Sequence, residues 1–149
     1  MKTFVVLLAS FVCVLSGCSD VRVSSYENYR ELVASGAIDR GWVPEFIPVT
    51  AHEISEGHSV EVNSLSVGFS FGADFRPAED SSFILLRADK RVAAVKGVEL
   101  PRWAKITKRD SLEVFSVCAE SESGLLFVDS VASRGFYLQP AGDAKCDYI

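Results

Sequence analysis

The segment AHEISEGHSVEVN, residues 51–63, carries both histidines of the chain and three acidic residues. Imidazole and carboxylate side chains are the groups that ligate zinc or pass protons. His52 and Glu56 are four apart and share a face if the segment is helical, with His58 and Glu61 just beyond. The spacing is not H-E-x-x-H, because position 56 is Glu. His52, Glu56 and His58 therefore form a weak metal or acid–base set. The plainer reading, which the residues favour, makes both histidines surface or capping residues of a loop in an acidic protein.

Gly68-Phe69-Ser70-Phe71-Gly72 matches the letters of G-x-S-x-G, the turn that presents a nucleophilic serine. That turn needs a strand ending at the serine and a helix starting after it. Here Ser70 alternates with bulky phenylalanines inside a strand pattern, which argues against a hydrolase nucleophile. No G-x-x-x-x-G-K-[ST] phosphate loop occurs, and no cofactor is expected.

The aromatic, proline-stiffened stretch around Trp42, Pro44, Phe46 and Pro48 is a candidate partner-docking loop, since aromatic side chains anchor interfaces. The favoured alternative is that Trp42 and Phe46 cap a sheet while the prolines stiffen the loop. RADKRV and WAKITKRD concentrate positive charge on a chain whose net charge is −5. They read as solvated faces or as a docking site for an acidic partner or envelope polymer. The acidic balance and the lack of a basic run exclude a nucleic-acid partner.

The elements that position these residues follow from periodicity. SSYENYRELVASGA predicts a helix with a Ser24–Glu27 capping box, a Tyr26, Tyr29, Leu32, Val33 face and a stop at Gly36. Thr50 and Glu53 predict a second capping box opening one short turn. NSLSVGFSFG alternates Leu65, Val67, Phe69 and Phe71 against small residues and predicts a half-buried strand. RPAEDSSFILLRADKRV fits a helix or a strand and is read here as a helix. SLEVFSVCAE, GLLFVDSVA and RGFYLQP predict an antiparallel meander; the first two are apolar on both faces, so at least one of them is expected to be central and covered on both sides. The fold class expected is α+β: short N-terminal helices followed by an antiparallel β-sheet with a C-terminal meander.

The chain opens with Lys2 and an apolar run from Phe4 to Leu15, too short for the roughly 20 residues that span a bilayer. Leu15-Ser16-Gly17-Cys18 resembles the lipobox of bacterial lipoproteins. The resemblance implies cleavage before Cys18, a diacylglycerol on its sulfur and acylation of the new amino group. Loss of Lys2 makes the mature chain one charge more negative. Ser19 after the cysteine implies the periplasmic face of the outer membrane rather than the inner membrane. The organisation expected is a signal peptide over 1–17, a lipidated cysteine and tether over 18–23, and one domain over 24–149. Cys118 and Cys146 then remain as an even pair in an oxidising compartment, where a structural disulfide is expected.

ASGAIDRGWVPEFIPVTAHEISEGHSVEVNSLSVGFSF, followed later by SGLLFVDSVASRGFYL, resembles a group of small bacterial envelope proteins of no assigned activity. The resemblance implies one domain with this order of elements. The function expected is a lipid-anchored, non-enzymatic accessory protein that recognises a protein partner near the membrane. An immunity protein against a toxin delivered to the periplasm is one form of it. The alternative is a small periplasmic hydrolase or metal-dependent enzyme using His52, Glu56 and His58.

Overall fold

The computed structural model describes residues 21–59, 61, 63–106, 111–118 and 123–139. Seven strands form one antiparallel sheet: β1 (Arg22–Asn28), β2 (His52–Ser59), β3 (Ser64–Ser70), β4 (Phe83–Leu85), β5 (Glu113–Cys118), β6 (Ser123–Asp129) and β7 (Arg134–Gln139). Their spatial order is β1-β2-β3-β7-β6-β5-β4. The helices α1 (Tyr29–Ser35) and α2 (Ala88–Gly97) are short. The expectation of an α+β fold led by helices is therefore overturned: the protein is strand-rich, and its described N-terminal element is an edge strand.

The capping box placed at Ser24 and Glu27 is the reason for that error. Ser24 and Tyr26 instead pair with Glu56 and Ile54 of β2, and Tyr26 packs into the core. The helix starts later, where the Asn28 side chain accepts from the Glu31 amide at 3.1 Å. Glu31 in turn reaches back to accept from the Glu27 amide at 2.7 Å. Gly36, at φ +72°, closes the helix as expected. Strand β1 begins at Arg22, within the stretch expected to be tether.

Two further expectations fail locally. No turn opens at Thr50 and Glu53. The chain enters β2 directly, and Glu53, at φ +48°, lies in the register irregularity between β2 and β3. The 76–92 segment is not one helix but a 3-10 turn at Pro77–Glu79, then β4, then the start of α2. The strand expected within NSLSVGFSFG is present as Ser64–Ser70, and so is the C-terminal meander.

Connectivity explains how a sheet of this order closes. The chain runs β1-β2-β3, crosses from the middle of the sheet to its far edge, and returns through β4-β5-β6-β7 to pair β7 with β3. Both faces are covered. On one lie Leu32 of α1, then Ala37, Val43, Ile47 and Ala51, packed with Val67, Phe69, Phe115, Leu126 and Tyr137. On the other, Val95, Leu100 and Trp103 cover Val114, Leu125, Phe127 and Phe136. Residues of β6 alternate strictly between these two clusters, which is why the strand reads as continuously apolar. Trp103 lies so close to β2 and β3 that a Cβ at Gly57 or Gly68 would stand 3.3 or 3.2 Å from its ring.

Candidate functional site

Two polar constellations stand on the sheet, apart from single buried polar residues such as Ser116 and Asp129. The first lies where β2, β3 and β7 present one cross-strand row. Arg22 pairs with His58, His58 with Leu65, and Leu65 with Gln139. One step inward, Glu56 pairs with Ser24 and Val67. Directly opposed residues share a face, so Glu56 and His58 lie beside the core cluster that contains Val67.

Glu56 is fully buried and His58 is 8% exposed. His58 Nδ1 is 2.9 Å from Glu56 Oε2, the geometry of an imidazole N–H donating to a carboxylate. Glu56 Oε1 is buried with no hydrogen-bond partner among the described residues. Such an orphaned carboxylate oxygen costs about 1–3 kcal/mol or more. The carboxylate orients the ring through Nδ1, which leaves Nε2 as the working atom.

The loop after α1 builds the wall above this row. Trp42 stacks on His58, with ring centroids 4.5 Å apart and planes 21° apart. The Arg40 guanidinium lies 4.0 Å from the Trp42 ring centroid. Gly41 at φ +70° makes the turn between them, a conformation that costs glycine nothing. Arg40, Trp42, His58, Asn63, Leu65 and Gln139 enclose a hollow of about 240 Å³. A second hollow of about 290 Å³ adjoins it at Gly41, Leu65 and Gln139 and carries Asp39 and Glu45 on its wall.

The second constellation surrounds Glu53. Its carboxylate accepts from Arg134 at 2.7 Å, from Ser70 Oγ at 3.2 Å and from Lys105 at 3.4 Å. Arg134 also donates to Ser70. The Lys105 hydrogen bond and charge, followed by Ser70 and Arg134, hold the Glu53 carboxyl below its usual range. These contacts fasten β2, β3, β7 and the segment after α2 to one another. Ser70 is committed to them and is 93% buried, so it has no nucleophile geometry.

Of the three residues proposed for metal or acid–base chemistry, Glu56 and His58 come together and His52 does not. His52 is exposed at the start of β2, with its Nδ1 3.4 Å from the Thr50 carbonyl. The segment is a strand, so a four-residue spacing has no helical meaning, and the pair that meets is two apart. Among the described residues no group of three His, Cys, Asp or Glu side chains is placed to hold a metal ion.

Trp42 is half-buried as the lid of the hollow. Phe46 is likewise half-buried and packs edge-on against Phe83 and Tyr137 at 5.2 and 5.1 Å, on the margin of the core. Gln139 carries no signal in the sequence, and the only clue to Arg40 is the Arg-Gly-Trp string beside a loop proline.

Cys118 ends β5, with its sulfur 3.6 Å from Ser116 Oγ. Cys146 and Cys18 lie outside the described residues, so the expected disulfide and lipidation are not placed by the structure. No helix among the described residues is long and apolar enough to cross a membrane.

Residues 20–70, about a third of the chain, match the family model described as the YbbD head domain, which indicates a small bacterial envelope-type protein family. The matched stretch runs from the start of β1 to the end of β3 and so includes Arg40, Trp42, Glu56 and His58. No curated protein and no solved structure matches the chain.

Proposed function

We propose that this chain is a lipid-anchored, non-enzymatic accessory protein of the bacterial envelope that recognises a protein partner close to the membrane. The observation that carries the reading is where the sheet begins. Only Ser19, Asp20 and Val21 separate Cys18 from β1 at Arg22. A fully extended link of that length reaches only about 14 Å, so the β1 edge stays beside the lipid. The diacylglyceryl group on Cys18, with a further chain on its amino group, supplies the two hydrophobic signals that stable anchoring needs. Ser19 directs the anchor to the periplasmic face of the outer membrane, and an immunity-type role is one form of partner recognition there.

Labelling with radioactive palmitate and fractionation of parent and Cys18→Ala cells test this. The parent is labelled and sediments with membranes, and the variant is unlabelled and released. A parent that is unlabelled and fractionates like the variant overturns the anchor. In vivo crosslinking then identifies the partner held by the parent.

The 2.9 Å contact between His58 and Glu56 favours a second reading, a periplasmic acid–base enzyme that uses this pair without His52. In that reading Glu56 orients the imidazole and Nε2 takes a proton from a substrate or water. His58→Ala then abolishes the biological effect while the crosslinked partner is still captured. A recognition role loses both together.

A further inference from the structure

We infer that the hollow beside His58 is a binding site for a single carboxylate, of the kind that ends a peptide chain. The inference rests on the recognition half of the reading above and is independent of the anchor.

The site is built rather than incidental. A buried carboxylate with one unpaired oxygen and a nearly buried imidazole sit among apolar neighbours, at a cost that folding alone does not repay. What the pair achieves is orientation. Glu56 takes the Nδ1 proton, so the Nε2 edge of His58 is the one left for the hollow, where it donates to a carboxylate in the ring form that carries both protons. Arg40 is fixed against Trp42, and among the described residues its guanidinium has no ion pair. A guanidinium pre-oriented on an aromatic ring presents a planar fork of donors, which matches a carboxylate.

Charge selects the class of anion. Arg40 lines the hollow, and Arg22 stands beside His58 in the same strand row. Against them stand Glu56 behind the imidazole and Asp39 and Glu45 in the adjoining hollow. The Arg40 fork is the cation that lines the hollow, while the carboxylates behind and beside it repel a phosphate, which carries nearly two charges, more than a singly charged carboxylate. The Asn63 and Gln139 amides supply donors and acceptors for a peptide group next to the carboxylate, and Leu65 supplies an apolar floor. At about 240 Å³ the hollow falls below the roughly 300–1,000 Å³ of sites that engulf a whole ligand. It fits a chain end with the rest of the ligand outside.

The test uses the full-length protein in detergent micelles, with the Trp42 indole and His58 ring resonances followed by NMR. The probes are N-acetyl-dialanine, its C-terminal amide, free alanine and inorganic phosphate. N-acetyl-dialanine shifts the Trp42 and His58 signals saturably and leaves the Trp103 indole unmoved. The amide binds at least about tenfold more weakly. Arg40→Gln weakens N-acetyl-dialanine by at least about tenfold, and Arg40→Lys, which keeps charge without the fork, by less. Arg40 is exposed, so these variants keep the parent's thermal melt, which is checked in parallel.

Free alanine binding as well as N-acetyl-dialanine identifies free amino acids as a source of the carboxylate, and weaker alanine binding identifies a peptide end. Equal binding of acid and amide, tighter binding of phosphate, no saturable shift, or an unaffected Arg40→Gln each overturns the inference. Failure of the anchor appears in the palmitate and fractionation result and leaves this measurement untouched.

Discussion

Arg134, with its side chain 7% exposed, donates to Glu53, 81 residues earlier in the chain, at 2.7 Å. The contact joins the first residue of β7 to the irregular residue of β2, across β3. Lys105 contributes most to holding the Glu53 carboxyl low, followed by Ser70 and Arg134. A carboxyl depressed by folding stabilises the protein above its unfolded value of about 4.3, and that contribution is lost as pH falls through the lower folded value. Urea unfolding of parent and Glu53→Gln is therefore expected to differ by a constant amount from about pH 5 to 7 and to converge as the pH falls through the lowered folded value. A difference that grows on acidification contradicts the assignment.

Arg134 itself is a buried cation with partners on two strands. Arg134→Met removes charge-assisted bonds and is expected to cost about 2 kcal/mol in urea unfolding at pH 7. Arg134→Lys recovers part of it. An unchanged midpoint in Arg134→Met shows that the clip is not needed for stability.

Glu56 and His58 make the opposite case. Replacing a buried polar pair with apolar side chains is often neutral or stabilising by about 1–4 kcal/mol. The double variant Glu56→Leu, His58→Phe is expected to melt no lower than the parent while losing N-acetyl-dialanine binding. A strongly lowered melting temperature shows instead that the pair serves folding.

Gly135 faces Phe69 in the neighbouring strand, and a Cβ there would fall 2.5 Å from the ring. Phe69 is fully buried and cannot swing into solvent. Gly135→Ala is expected to cost about 1–3 kcal/mol, as overpacking does. Gly97, where an added Cβ meets nothing within 4 Å, serves as the control, and Gly97→Ala leaves the unfolding midpoint near the parent's.

Asn28 rather than Ser24 caps α1. Asn28→Ala is expected to lose about 1 kcal/mol and Ser24→Ala only a few tenths. The reverse ranking in urea unfolding restores the helix start expected from the Ser24–Glu27 spacing.

Periodicity alone determined β3 and the C-terminal meander, because alternation of Leu65, Val67 and Phe69 and the two-faced run Leu125–Val128 have no competing local explanation. It likewise determined the stop at Gly36, where only the backbone conformation matters. The acidic net charge and the Leu15-Ser16-Gly17-Cys18 string are properties of the sequence itself. What only the tertiary structure decided is everything that depends on pairing across the chain. Ser24 and Glu27 satisfy a helix rule locally, yet β2 offers that stretch a full ladder of hydrogen bonds and a buried place for Tyr26. His52, Glu56 and His58 are equally close in sequence. A strand alternates its side chains between two faces, and the register with β3 slips between His52 and Ser55, so only Glu56 and His58 meet. Arg40 and Gln139 join them from a loop and from a strand far along the chain. No local pattern encodes such a meeting, because it is the sheet's register that brings them to one row.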